Sequence, residues 1–225
     1  MNYSDTLIKY IICYCIMFII TGIAKSIKSN RLFNTEGMMA TNINSLIGLH
    51  FSGILWLGLI PIIVCKQPIN TIIFGESLPT FLWTLIFIPS VALLIFAGIR
   101  SSYNICIKLP PAHTTKLQSF HSYFFSRVLF LFCYELFFRG VLLFNCISLW
   151  DNLTAIIITT ALTILIHVFT NKKEMLGCIP YGIITSLLCI AIHAIWPAIV
   201  LHCTLSFAYE IPPINHFLKQ QKLTS

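Results

Sequence analysis

One stretch of the chain combines a carboxylate and a guanidinium inside an apolar run. Glu135 and Arg139 lie four residues apart, and the surrounding segment 128–143 is otherwise almost entirely hydrophobic. On a helix this spacing places both side chains on one face, one turn apart. A charged residue at the centre of a membrane helix costs at least about 2.5 kcal/mol on insertion scales, and it usually faces a partner or a polar cavity. The pair therefore indicates a polar site inside a bundle.

Two histidines further along the chain extend this candidate acid–base set. His167 and His202 each lie within a strongly apolar segment. A single histidine in such a segment more often bonds a neighbouring helix than catalyses a reaction, but two of them together with Glu135 favour a shared site. Such a set can activate a water or hold a divalent metal. The His-Glu-x-x-His motif is absent from the sequence, so a metalloprotease of that type has no support. We assign no metal ligand and predict no cofactor, and whether these residues bind a metal stays open.

Composition determines the class of protein in which this site must form. Of the 225 residues, 57% are hydrophobic and 9% are charged, against about 25% charged residues in soluble domains. We therefore predict an all-α, polytopic membrane helix bundle, with residues 1–225 as a single membrane domain. The net charge of +7 is consistent with basic residues on the cytoplasmic side. No basic run alternates with exposed aromatic residues, so we expect no nucleic-acid partner.

About seven segments are apolar enough and nearly long enough to cross a bilayer, which requires roughly 20 residues. The seventh is short, and a proline pair is expected to mark its end. The predicted spans are Leu7–Ala24, Ile43–Cys65, Pro79–Ile99, Tyr123–Ile147, Leu153–Thr170, Met175–Ile192 and Trp196–Ile211.

Charge in the connecting loops predicts the orientation. Basic residues concentrate in the loops after the first, third and fifth spans and in the tail, and cytoplasmic loops are the basic ones. The N-terminus is therefore expected outside and the C-terminus in the cytoplasm, in what we expect to be a bacterial cell membrane. The basic residues are Lys25, Lys28, Arg31, Arg100, Lys108, Lys116, Lys172, Lys173, Lys219 and Lys222.

Two other polar residues in the spans have structural interpretations. Arg127 lies close to the cytoplasmic end of the fourth span, so its side chain is expected to extend to the lipid headgroups. His50 is expected to hydrogen-bond a neighbouring helix.

The segment 134–143, Tyr-Glu-Leu-Phe-Phe-Arg-Gly-Val-Leu-Leu, resembles the first motif of the CPBP family of CAAX-protease and bacteriocin-processing membrane proteins, Glu-Glu-x-x-x-Arg. His167 matches the second motif, Phe-x-x-x-His, and His202 matches the third, His-x-x-x-Asn or Asp. The resemblance covers residues 123–210. It implies a metal-independent intramembrane protease in which the first glutamate and the second-motif histidine activate water, and the third-motif histidine and asparagine stabilise the oxyanion.

The chain departs from these motifs at three positions. Tyr134 stands in place of the first glutamate, Thr163 in place of the phenylalanine, and Ser206 in place of the asparagine. Tyr134 cannot act as a carboxylate base, and Glu135 lies about 100° further round the helix. Ser206 retains a hydroxyl that can donate one hydrogen bond to an oxyanion.

The resemblance implies a glutamate-type endopeptidase that cleaves a membrane-associated protein or peptide. In this interpretation Glu135 and His167 activate water, Arg139 orients Glu135, and His202 and Ser206 stabilise the oxyanion. The alternative is an inactive relative that binds a peptide or confers bacteriocin immunity, which Tyr134 and Ser206 favour. A proton-coupled carrier is a third possibility, but no inverted repeat is visible.

We expect the fourth, fifth and seventh spans to pack around one polar pocket that opens to the cytoplasm. Glu135 should come within hydrogen-bond or one-water reach of His167, with Tyr134 at the edge of the pocket. Gly140 should allow a helix to approach closely. Straight helices would place His167 and His202 at depths about 10 Å apart, so a tilted or broken helix is needed to bring them together.

Overall fold

Helices form almost all of the described structure. The computed structural model describes residues 3–27, 30, 32–33, 43–64, 69–75, 81–108, 118–170 and 172–224. In that part of the chain 94% of residues are helical and no strand occurs. The eight helices are α1 Tyr3–Ser26, α2 Ile43–Val64, α3 Ile69–Phe74, α4 Phe81–Lys108, α5 (in three consecutive segments, Gln118–Glu135, Leu136–Leu142 and Leu143–Leu149), α6 Asn152–Ile166, α7 Lys172–Ile192 and α8 Trp196–Thr224.

The predicted polytopic helical bundle is confirmed. Among the described residues, six helices are long and apolar enough to cross a membrane. They are α1, α2 and α4 to α7, with α6 counted together with its 3₁₀ continuation to Phe169. The seventh predicted span is also helical, as part of α8, but it does not reach the same apolarity. It carries Glu210 and two prolines within the predicted span and just beyond it, and these residues lower its hydropathy.

Two predicted boundaries are wrong. Helix α4 continues to Lys108, where a loop was expected from residue 100, and α8 runs through Pro212 and Pro213. Each proline removes one backbone donor, and α8 continues without those two hydrogen bonds. Several residues used to predict spans and orientation lie outside the described residues, so the orientation stays a prediction; they are Lys28, Arg31, Cys65, Pro79 and Lys116.

Helix α5 is the central helix of the bundle. Buried residues make up 72% of its apolar window, against 6% for α4. Its middle segment, Leu136–Leu142, is π-helical and begins directly after Glu135, and α2 contains a second π-helical segment, Ile54–Leu59, that contacts it. Single π-helical turns inside α-helices often occur at functional sites.

The apolar core surrounds the middle of α5. Tyr10 and Tyr14 of α1 pack edge-on against Phe137 and Phe138, with ring centroids 6.3 and 6.1 Å apart. Gly140 allows the close approach that its sequence position predicts. A Cβ built there would lie 3.1 Å from Ile72 of α3, so a larger residue would push this short helix away.

Asp151 is the N-cap of α6. Its carboxylate accepts hydrogen bonds from the backbone N–H and the hydroxyl of Thr154, at 2.9 and 2.7 Å. These donors stabilise the charged form and hold the pKa of Asp151 below its ordinary value. Since the folded pKa is the lower one, this contribution to stability is complete above the unfolded pKa and is lost as the pH falls through the folded pKa. The cap fixes the start of the helix that leads to His167.

An ion pair joins α5 to α8. Arg127 Nη2 lies 3.2 Å from Glu210 Oε1, and Arg127 Nε donates to Ser206 Oγ at 3.2 Å. The hydroxyls of Tyr123 and Ser206 donate to the same carboxylate at 3.0 and 3.3 Å. Arg127 therefore faces a partner helix rather than the lipid headgroups, contrary to the prediction, because Glu210 supplies a charge within the bundle.

The expected helix–helix role of His50 is confirmed. Its Nδ1 lies 2.9 Å from the hydroxyl of Ser126, so the residue joins α2 to α5.

Breaking the Arg127–Glu210 pair should destabilise the protein. Glu210→Ala leaves the guanidinium without its carboxylate, and we expect the free energy of unfolding to fall by about 3 kcal/mol, the lower end of the range for a broken buried pair, because Arg127 keeps some exposure. The double variant Arg127→Met/Glu210→Met should recover more than half of that loss. Thermal unfolding of purified protein in detergent measures both, and equal losses in the single and double variants would contradict a stabilising pair.

Candidate active site

Glu135 is the centre of the candidate site and is fully buried. Its Oε1 lies 2.5 Å from His202 Nδ1 and accepts a hydrogen bond from the hydroxyl of Tyr181 at 3.1 Å. Its Oε2 lies 3.7 Å from Arg139 Nε. Residues from α5, α7 and α8 therefore surround one carboxylate.

Arg139 is also fully buried and connects α5 to α6 and α7. Its Nε donates to Thr185 Oγ1 at 3.1 Å, and its Nη1 donates to Thr163 Oγ1 at 3.0 Å. The guanidinium carbon lies 5.8 Å from the ring centroid of Tyr181. A planar guanidinium with several fixed donors suits this arrangement better than a lysine would. Thr163, a departure from the family motif, is thus a partner of Arg139.

One ring nitrogen of His202, Nε2, is available for acid–base chemistry. Its Nδ1 faces Glu135, whose carboxylate is paired with Arg139 and acts only as an acceptor. Nδ1 therefore carries the hydrogen, and Nε2 of the neutral ring keeps its lone pair. The side chain of His202 is 16% exposed, so this histidine lies at the boundary between the buried charges and the surface of the bundle.

His167 follows the last turn of α6, at the start of a 3₁₀ segment, His167–Phe169. Its Nδ1 lies 2.8 Å from the backbone carbonyl oxygen of Thr163. A carbonyl oxygen only accepts, so Nδ1 donates, and Nε2 of the neutral ring is again the free nitrogen. Within the described chain no hydrogen bond joins His167 to Glu135. The direct hydrogen bond of Glu135 is with His202 instead, and reach to His167 through one water stays a prediction.

Tyr134 lies beside both histidines. Its ring is perpendicular to both imidazoles, with centroids 6.3 Å from His167 and 5.2 Å from His202. Both histidines therefore pack against the same residue, Tyr134. The depth difference estimated for straight helices does not apply, because the α-helical part of α6 ends just before His167. Tyr134 is 3% exposed, so its expected position at the edge of the pocket is wrong.

Ser206 lies one turn beyond His202 on α8, in the Arg127–Glu210 network. The structure thus brings together Glu135, Arg139 and His202, links His167 to them through Thr163 and Tyr134, and places Ser206 with a second set of polar residues.

Three contributing residues were not predicted from the sequence. Tyr181 and Thr185 are uncharged, and nothing in their apolar segment distinguishes them from structural residues. Glu210 was detectable, because it is an acidic residue inside a predicted span, with Arg127 as the available partner.

Metal binding requires several ligands in one place. Among the described residues, no group of three or more histidine, cysteine, aspartate or glutamate side chains could hold a metal ion. The nearest approach to such a set is Glu135 with His202, and the other neighbours of that carboxylate, Arg139 and Tyr181, are donors rather than metal ligands. The geometry fits an acid–base pair better than a metal centre.

Gly182 of α7 provides space for Arg139. A Cβ built at Gly182 would lie 2.9 Å from Thr160 and 3.3 Å from Arg139 Nη2. We expect Gly182→Ala to lower the free energy of unfolding by about 1–3 kcal/mol, as overpacking does. Gly177→Ala on the same helix is the matched control. Nothing lies within 4 Å of its Cβ, so it should stabilise the helix by about 0.4–1 kcal/mol. Equal unfolding temperatures for the two variants would show that the space beside Arg139 is not needed.

A protein-family model matches the part of the chain that contains this site. Residues 116–208 match the family model described as type II CAAX prenyl endopeptidase Rce1-like. Searches of curated proteins and of solved structures gave no significant match. The matched region contains Glu135, Arg139, His167 and His202, the residues that carry the CPBP resemblance, and that resemblance is confirmed. Residues 116–208 are therefore similar to the Rce1-like CAAX prenyl endopeptidases, in agreement with the CPBP resemblance of the sequence motifs.

Proposed function

We propose that this membrane protein is an intramembrane endopeptidase that hydrolyses a peptide bond in a membrane-associated protein or peptide. The single observation that carries the proposal is the contact between Glu135 Oε1 and His202 Nδ1, at 2.5 Å in a fully buried setting. A histidine oriented by a carboxylate is a common general base. The family match supports the same reaction class.

The hydrolysis begins with a water beside Nε2 of His202. This nitrogen takes one proton while the water oxygen forms a bond to the carbonyl carbon of the substrate, and the electrons of the C=O bond move to the oxygen. When the tetrahedral intermediate collapses, the C–N bond breaks and the leaving amine takes the proton from His202. Glu135 stabilises the imidazolium between these steps, as the carboxylate does in a catalytic triad.

His167 is assigned a role beside the attacking water. Its free Nε2 accepts a hydrogen bond from the second O–H of the water, and the backbone carbonyl of Thr163 fixes its ring. This assignment differs from the sequence-based one, in which Glu135 and His167 acted together. Among the described residues, Glu135 hydrogen-bonds His202, whereas His167 bonds the Thr163 carbonyl, and this favours His202 as the base.

Arg139 acts on the reaction through Glu135. A fully buried carboxylate without a counter-charge tends to become protonated, and a protonated carboxyl stabilises an imidazolium less well. The guanidinium, fixed by Thr163 and Thr185, keeps the carboxylate charged and oriented. It is a positioning residue in this mechanism.

The proposed substrate class is the one that the matched family, the CAAX prenyl endopeptidases, indicates. A prenylated peptide with a C-terminal CAAX sequence is the first substrate to test. The membrane-spanning helices bring the site close to the lipid chains that would hold such a prenyl group. A bilayer and a membrane-bound peptide are therefore the proposed partners, and no nucleic-acid partner is proposed.

Removing the acid–base pair should stop cleavage. We expect Glu135→Gln and His202→Ala each to lower cleavage by about 10²–10⁴-fold, as the loss of a general base does. His121→Ala changes an exposed histidine on the same helix as Glu135 and should leave cleavage at the level of the unmodified protein. The measurement compares new peptide termini in membranes that contain each variant.

Unchanged processing in both Glu135→Gln and His202→Ala would contradict hydrolysis at this site. If Glu135→Gln also retained the cellular phenotype of the unmodified protein, a binding protein without proteolysis would be the better description.

A further inference from the structure

Tyr134 carries a buried hydroxyl that has no role in the hydrolysis steps assigned to Glu135, His167 and His202. The side chain is 3% exposed, and its oxygen has no hydrogen-bond partner among the described residues. An unsatisfied buried polar group costs about 1–3 kcal/mol, so it calls for a specific explanation. The residue also lies edge-on to both histidines of the site.

The donors of the two histidines and of Ser206 are already occupied, and the remaining unpaired donor, Arg139 Nη2, lies on the side of Gly182. The N–H of His202 faces Glu135, and the N–H of His167 faces the Thr163 carbonyl. The hydroxyl of Ser206 donates to Glu210 and accepts from Arg127. An amide carbonyl that becomes negatively charged in the transition state needs a donor aimed at it, and none of these three residues has a free one.

We infer that Tyr134 is a catalytic residue whose phenol O–H donates a hydrogen bond to the oxyanion formed during hydrolysis. A neutral phenol is a donor at neutral pH. Its ring lies beside both His167 and His202, so the hydroxyl can reach the water and the carbonyl carbon that those histidines contact in the proposed mechanism. No proton is transferred from Tyr134, since the hydrogen bond strengthens as the C=O electrons move to oxygen and weakens when the C–N bond breaks. The inference rests on the proposed function.

This role explains why a tyrosine can stand where the family motif has a glutamate. In this mechanism the base is His202, oriented by Glu135, so the preceding position does not need a carboxylate. It can instead supply a donor, which the structure otherwise lacks at the histidines. The substitution changes the division of roles within the site and is compatible with hydrolysis.

The test is Tyr134→Phe, which removes the hydroxyl and keeps the ring that packs against Phe138 at a centroid distance of 4.6 Å. With a synthetic farnesylated CAAX peptide and purified protein in lipid vesicles, kcat should fall by about 10²–10³-fold, the effect of removing one oxyanion donor. KM should stay within about twofold, because the hydrogen bond forms only in the transition state. A purely structural role would not separate the two constants in this way.

Tyr14→Phe is the matched control. This tyrosine is also buried, but its hydroxyl donates to the backbone carbonyl of Leu162 at 2.9 Å. Its loss should lower the unfolding temperature without a selective fall in kcat. If Tyr134→Phe cleaves at the rate of the unmodified protein while Glu135→Gln is inactive, the oxyanion role is overturned and the protease assignment stands. If the unmodified protein and Glu135→Gln cleave equally, both this inference and the proposed function are overturned.

Discussion

The structure depends on one buried charge pair, Glu135 with Arg139. Both side chains are fully buried, and further hydrogen bonds offset part of the cost of burying such a pair, although Glu135 Oε2 and Arg139 Nη2 have no hydrogen-bond partner among the described residues. Those bonds come from three other helices, through Thr163 of α6, Thr185 of α7 and His202 of α8. The four C-terminal helices must therefore hold one relative register, because a shift of any of them removes a partner from a charge that has no access to water.

The second ion pair extends this constraint along the bundle. Arg127 lies eight residues before Glu135 on α5, and Glu210 lies eight residues after His202 on α8. The two antiparallel helices are thus joined by polar contacts at two levels, about 12 Å apart at the rise of an α-helix. Ser206 lies between these two levels and hydrogen-bonds the Arg127–Glu210 pair. This arrangement fixes the rotation of α8 and hence the direction of His202.

The sequence predicted the class of fold and the central residues of the site because both follow from simple energetic rules. Long apolar segments form membrane helices, and charged residues within them are stabilised by pairing with one another. Glu135, Arg139 and His202 lie together for that reason. The sequence did not predict which histidine contacts Glu135. That choice depends on the π-helical segment after Glu135, on the break in α6 at His167, and on the volume of Tyr134, none of which follows from residue spacing. Tyr181 and Thr185 were missed because an uncharged residue in an apolar helix gives no signal until its partner is known.

The central claim is that the Glu135–His202 pair directs water to a peptide bond. The most direct measurement is hydrolysis of a farnesylated CAAX peptide by the purified protein in water enriched in ¹⁸O, with mass spectrometry of the products. We predict one ¹⁸O atom in the newly formed carboxyl group of the prenylated fragment, and no such product with Glu135→Gln. A cleaved peptide without ¹⁸O, or the same labelled product from Glu135→Gln, would contradict the account.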